Sequence, residues 1–138
     1  MPNYCSVFAT NKNDQVLLLK SYRHAIAEET ITLPGGMIEN NEKHIDGIKR
    51  ELLEETGYTP NKIFSLGTIA PLIGYCTEKI EIFFAEISGE AGETNFDSDE
   101  YIETFFMSED EVDKKIKENE IFDGKTLSAW MLYKLNFG

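Results

Sequence analysis

Eight residues, Arg50-Glu51-Leu52-Leu53-Glu54-Glu55-Thr56-Gly57, put three carboxylates on barely more than one helical turn. Glu51 and Glu55 stand at i and i+4 and share one helix face, with Glu54 beside them. Like charges at that spacing repel, and folding does not ask for them. Upstream, Ile45, Ile48 and Leu52 recur at i, i+3 and i+7, an apolar stripe turned toward a core. The carboxylates therefore belong at the margin between core and solvent, where crowding costs most. Magnesium or manganese relieves that cost, because hard cations prefer carboxylate oxygen and magnesium bridges to substrate phosphates. Arg50 has two candidate jobs: its planar fork holds a glutamate in one rotamer, or its charge neutralises Glu54 at i+4. Gly35 and Gly36 let the backbone approach the same place, where a carbonyl is a further ligand candidate. On these eight residues alone, the competing reading is a solvated, glutamate-rich face.

The elements that must position this cluster follow from periodicity. Residues 4–10 and 16–22 read as strands joined by the Asn11-Lys12-Asn13-Asp14 turn, a hairpin. A short strand over 30–33 stops at Pro34-Gly35-Gly36. The pattern then becomes helical over 43–56, with Gly57 as the C-cap. Strands are expected over 63–69, 79–87 and 101–107. Ser108 with Glu111 three places on is a capping box opening a helix to about 117. Asp123 caps a last helix with Leu127, Trp130, Met131 and Leu135 facing inward. Strands that interleave with helices yet sit partly in hairpins predict an α/β fold with a mixed sheet between helices.

The whole chain of 138 residues, 1–138, suits a single domain with its own core. Its net charge of −12 repels nucleic-acid backbones and anionic membranes, so neither is an expected partner. A small anionic substrate is repelled as well unless cations intervene. Cys5 and Cys76 form no CxxC pair and read as buried, reduced, structural thiols. No stretch reaches the roughly 18 apolar residues of a membrane span, and the simplest location is the cytoplasm. His24 and His44 read as structural or surface residues without the neighbours a zinc site wants. Neither a phosphate-cradling P-loop nor a nucleophile-elbow serine is present.

The upstream spacing decides between the two readings of the glutamates. Gly36, five residues, Glu42, seven residues, then Arg50-Glu51-Leu52-x-Glu54-Glu55-x-Gly57 and Tyr58 reproduces the Nudix signature GX5EX7REUXEEXGU, U being bulky and apolar. Tyr58 departs mildly, since an aliphatic residue is commoner there. The chain resembles a Nudix hydrolase. That resemblance implies an α/β/α sandwich in which the box forms a loop-helix-loop. It also implies hydrolysis of a nucleoside diphosphate linked to another moiety, with magnesium or manganese. Carried over by position, Glu51, Glu54 and Glu55 are metal ligands and the Gly35 carbonyl is a further one. Arg50 orients a glutamate, and Glu42 supports the loop-helix geometry. Cations would cancel pyrophosphate charge, activate a water and stabilise the leaving phosphate. An acidic protein thereby takes an anionic substrate.

Outside the box, Tyr22-Arg23, Leu33-Pro34-Gly35-Gly36, Gly74, Glu78 and Ile121-Phe122-Asp123-Gly124-Lys125-Thr126 look like the ADP-ribose pyrophosphatase branch. Arg23 suits a phosphate or a paired carboxylate, or merely closes a hairpin. Glu78 would accept from a ribose hydroxyl or pair with Arg23. Gly74 belongs to the substrate loop, where that branch usually carries Ser-Pro-Gly. Here Leu72-Ile73-Gly74 stands instead, with Pro71 two places early, which puts the adenosine-side contacts in question. Many relatives carry an N-terminal extension that helps build a dimer. This chain begins almost at its first strand, so the expected homodimer has weaker support. The base in this branch lies in an acidic loop before a late strand. Residues 89–103 fit, with Glu100 the choice and Glu93, Asp97 and Asp99 its rivals; a solvated loop is the alternative.

The expected enzyme is thus a metal-dependent pyrophosphatase cleaving ADP-ribose or a related nucleoside diphosphate sugar into nucleoside monophosphate and sugar phosphate. A nucleoside triphosphate pyrophosphohydrolase is the alternative of the same chemistry. A non-catalytic module that binds a nucleotide sugar is the alternative of another class. The intact box speaks against it.

Overall fold

The computed structural model describes residues 3–94 and 102–137. Its elements are β1 (Tyr4–Thr10), β2 (Val16–Arg23), β3 (Glu28–Thr32), β4 (Gly35–Met37), α1 (His44–Thr56), β5 (Pro60–Ile69), β6 (Ile80–Ile87), β7 (Ile102–Met107), α2 (Glu109–Lys117) and α3 (Gly124–Phe137). The seven strands form one mixed sheet in the order β3-β2-β1-β6-β5, with β4 added to β1 and β7 to β2. The expected α/β class with a mixed sheet is what the chain adopts.

Strand β1 is the centre because it can be buried on both faces. Cys5, Val7 and Ala9 enter one cluster with Leu17, Ile48, Leu52, Phe83 and Ala85, while Phe8 enters another with Ile82, Phe84, Trp130 and Tyr133. This is the period-two alternation of a strand covered on both sides. It runs parallel to β6 from Tyr4↔Ile80 to Thr10↔Glu86. Helix α1 covers the first face and α3 the second.

The β1–β2 hairpin expected from sequence forms, but it is short. The two strands meet only at Thr10↔Val16. Beyond that point β4 takes the edge of β1 at Tyr4–Ser6, and β2 pairs with β3 and β7 instead. Pro34-Gly35-Gly36 does not simply end a strand either, because Gly35 and Gly36 pair with Ser6 and Cys5. A Cβ at Gly35 would strike the Cys5 carbonyl, so only glycine lets β4 dock there.

Three helix termini behave as read. Gly57 has φ 79° and its N–H donates to Leu53 O at 2.8 Å. Ser108 and Glu111 complete the capping box of α2. Asp123 Oδ2 accepts from the Thr126 amide at 3.1 Å and its hydroxyl at 2.8 Å, opening α3. The inward face of α3 differs from expectation. Trp130 is buried, but Met131 and Leu135 are 58% and 77% exposed, and Thr126, Ala129 and Tyr133 face inward instead. Aromatic packing sets that rotation: Tyr133 stacks on Phe8 with centroids 4.3 Å apart, and the Trp130 indole N–H donates to Asp113 at 2.9 Å.

Candidate active site

Helix α1 and strand β4 bring the box together around one guanidinium. Arg50 Nε and Nη2 donate to the two oxygens of Glu42 at 2.9 and 3.1 Å. Its Nη1 donates to Glu51 at 3.0 Å and to Glu54 at 3.3 Å, and Nη2 also reaches the Met37 carbonyl at 3.1 Å. Both sequence readings of Arg50 hold at once, since one fork orients Glu51 and neutralises Glu54. Lysine, with a single ammonium, has no equivalent geometry. Glu42 is held from its other side by the Glu39 amide at 3.0 Å, so the loop before α1 is tied to the helix through Arg50.

The glycines of the box close the rest of the arrangement. A Cβ on Gly36 would lie 2.5 and 2.6 Å from the two oxygens of Glu51, so the carboxylate rests directly on the bare Cα. The Gly35 amide donates to Glu55 at 2.9 Å, which fixes that side chain against β4. A Cβ on Gly57 would collide with the Gly92 carbonyl, and the Gly92 amide donates to Gly57 O at 2.7 Å. The acidic loop therefore starts pinned to the C-terminal end of α1. Glu93 is exposed, whereas Asp97, Asp99 and the preferred base Glu100 lie outside the described residues.

The electrostatics follow from this geometry. Burial pushes the Glu51 carboxyl up, against the pull of Arg50, and Glu54 and Glu42 push it further the same way. Glu42 is held below its ordinary value, first by its bonds from Arg50 and then by the Glu39 amide. Arg50 is raised, chiefly by the bond to Glu42. Three carboxylates hydrogen-bond to one guanidinium and a fourth, Glu39, stands 4.0 Å from it, which leaves negative charge in excess on oxygen donors alone. That donor set fits a hard divalent cation.

The outer candidates gather at the same end of the sheet. Tyr4 pairs with Met37 on one side and with Ile80 on the other, so the β5–β6 loop carrying Gly74 and Glu78 leaves the sheet beside the box. Gly74 and Glu78 are exposed in that loop, and Arg23 is exposed at the end of β2. Among the described residues no ion pair joins Arg23 to Glu78; Arg23 lies across the ladder from Glu28. The Asp123–Thr126 turn is also close to the box, for the Leu33 amide donates to Thr126 Oγ1 at 3.3 Å.

Sequence reading missed Tyr4. Its phenol is pushed up to about 12, first by burial and then by Glu55, and Lys125 Nζ stands 5.9 Å from its ring centroid. Its place at the first residue of β1 carried no signal. Two thiol and histidine readings also change. Cys5 is buried as expected, but Cys76 is exposed. His44, read as lacking ligating neighbours, has two, because the β1–β6 register sets Cys5 beside Glu81 under the first turn of α1. His24 is a surface residue edge-on to Tyr22. The open groove of about 570 Å³ between Lys20, Ile31, Phe105, Lys115 and Phe122 contains none of the box carboxylates. Chemistry, rather than concavity, marks the box.

A family model described as NUDIX domain matches residues 2–130. The chain is 27% identical over 129 residues to the ADP-ribose pyrophosphatase of Bacillus subtilis (strain 168), covering 93% of this chain and 70% of that protein. It is 31% identical over 124 residues to the GDP-mannose pyrophosphatase of Shigella flexneri, covering 84% of this chain and 64% of that protein. A solved structure described as an ADP compounds hydrolase superposes with a TM-score of 0.82 at 19% identity, covering 97% of this chain and 73% of the other. At that identity the superposition speaks for the fold.

Proposed function

The chain belongs to the NUDIX family, and from that premise we propose that it hydrolyses the diphosphate bridge of ADP-ribose or a related nucleoside diphosphate sugar. The products are a nucleoside monophosphate and a sugar phosphate. Magnesium or manganese is the cation, held by Glu51, Glu54, Glu55 and the Gly35 carbonyl. The observation that carries this reading is the half-buried, all-oxygen cluster around Arg50, in which carboxylates outnumber the one guanidinium. A cation held there supplies positive charge to the diphosphate bridge and acidity to a water.

The chain's own residues supply position. Arg50 fixes the rotamers of Glu51 and Glu54, and Glu42 fixes Arg50. Gly36 leaves room for the Glu51 carboxylate, and the Gly35 amide steadies Glu55. Arg23 faces a phosphate of the substrate by charge, and Gly74 and Glu78 contribute to the nucleoside or ribose side. Hydrolysis adds water across the bridge: its oxygen joins one phosphorus, the bridging oxygen leaves on the other phosphate, and one proton must be taken up. Glu100 is the proposed acceptor of that proton, with Glu93, Asp97 and Asp99 as rivals. Gly92, within the segment that carries these candidates, is anchored on Gly57 at the end of α1.

The partner is a small nucleotide rather than nucleic acid or membrane, given the net charge of −12. Among the described residues no helix is long and apolar enough to cross a membrane. A single domain over 1–138, a cytoplasmic location consistent with two free thiols, and a homodimer complete the proposal. The test is a panel of ADP-ribose, GDP-mannose, other nucleotide sugars, dinucleotides and triphosphates with magnesium, with products identified. Release of sugar phosphate with nucleoside monophosphate is the expected result. Pyrophosphate from triphosphates would install the other substrate class, and binding without turnover would make the chain a non-catalytic module.

A further inference from the structure

We propose that Cys5, His44 and Glu81 form a second metal site, chemically distinct from the glutamate box, that takes a borderline divalent cation of the zinc class. One sulfur, one imidazole nitrogen and one carboxylate oxygen from these residues all lie within 4.8 Å of one another. Ligands in a shared tetrahedral zinc shell stand about 3.5 Å apart, so small side-chain rotations gather the three. Sequence separation hides the cluster. Cys5 and Glu81 are register partners in the parallel β1–β6 ladder and point to the same face. His44, the first residue of α1, comes down on that face and meets Glu81 Oε1 through Nδ1 at 2.7 Å.

The donor chemistry separates this site from the box. Thiolate and imidazole select zinc-like ions, whereas the box offers hard oxygens only. Cys5 is fully buried, but the side chains of His44 and Glu81 are 18% and 20% exposed, so an ion enters from their side and keeps a position for water. Binding releases the thiol proton to solvent and leaves the imidazole proton on its non-ligating nitrogen. His44 and Glu51 are seven residues apart on one helix, about 10 Å along its axis. The ion thus clamps the first turn of the box helix to β1 and β6 without touching the glutamates.

Cobalt(II) is the probe, because a sulfur-to-cobalt charge-transfer band reports thiolate ligation and nothing in the box produces one. Protein saturated with magnesium is titrated with cobalt, and the thermal midpoint is followed separately with zinc. The expected result is a band that saturates at one equivalent, persists in Glu54→Gln and Cys76→Ser, and disappears in Cys5→Ala and His44→Gln. Zinc raises the midpoint of the wild type and leaves that of His44→Gln unmoved. Should Cys5→Ala fail to fold, His44→Gln and Glu81→Gln carry the test, since a glutamine at either place keeps a hydrogen bond without the ligand set. Absence of the band, its loss in Cys76→Ser, or its survival in His44→Gln overturns the site.

Discussion

Gly36→Ala isolates the contact on which the box geometry depends. The new Cβ would lie 2.5 Å from one Glu51 oxygen and 2.6 Å from the other, where ordinary contacts begin at 3.4 Å. The carboxylate must therefore retreat by about 1 Å, and a misplacement of that size costs on the order of 10²-fold in rate. The fold itself should barely notice. Gly36 is absent from the positive-φ glycines, so alanine suits its backbone and contributes roughly 0.4–1 kcal/mol through the unfolded state. Loss of the partly exposed Arg50–Glu51 bond costs about 1 kcal/mol, which nearly offsets it. Activity and stability thus part company. The assay is steady-state turnover of a nucleotide sugar alongside a denaturant melt. Gly124→Ala, with open space around its Cβ, is the control and should keep full activity. Glu51→Asp withdraws the carboxylate by one bond, about 1.5 Å. The loss in the double variant should therefore be smaller than the product of the two single losses by roughly tenfold, a coupling of about 1.4 kcal/mol. Wild-type activity in Gly36→Ala, strict additivity, or a loss that tracks the unfolded fraction would each refute the reasoning.

Arg50→Lys keeps the charge and removes the fork that spans Glu42, Glu51 and Glu54; kcat should fall on the order of 10²-fold, with a smaller change in KM, by steady-state kinetics. Chelation should abolish turnover reversibly while leaving far-UV circular dichroism intact, because the two core clusters need no ion; collapse of the spectrum would say otherwise. Burial and Glu109 push the Tyr133 phenol from 10.0 to about 12. The folded state holds that proton more tightly than the unfolded chain. Its contribution is therefore fully present below pH 10 and is lost as pH rises toward 12. Phenolate absorbance should show Tyr133 among the last tyrosines to ionise, and Tyr133→Phe should flatten the alkaline fall in stability.

The box was legible because its geometry is local. Within one helix, spacing alone fixes that Glu51, Glu54 and Glu55 share a side and that Ile48 and Leu52 face the core, and hydrogen bonds four residues apart enforce it. Caps are equally local, which is why Gly57 and the Ser108–Glu111 pair could be read directly. The inward face of α3 was not local. A helix with apolar residues most of the way round offers several faces, and stacking against Phe8 and Phe84 selected Tyr133 over Met131 and Leu135.

By itself, then, the sequence determined the helix that carries the box glutamates, the glycines that must lack a side chain, and the mixed α/β class. Only the tertiary structure decided which strands pair. Short strands of similar pattern have several possible partners, and the choice rests on burial across long loops rather than on neighbours in the chain. That choice made β4 the edge of β1, rested Glu51 on Gly36, and laid Cys5 beside Glu81 beneath His44.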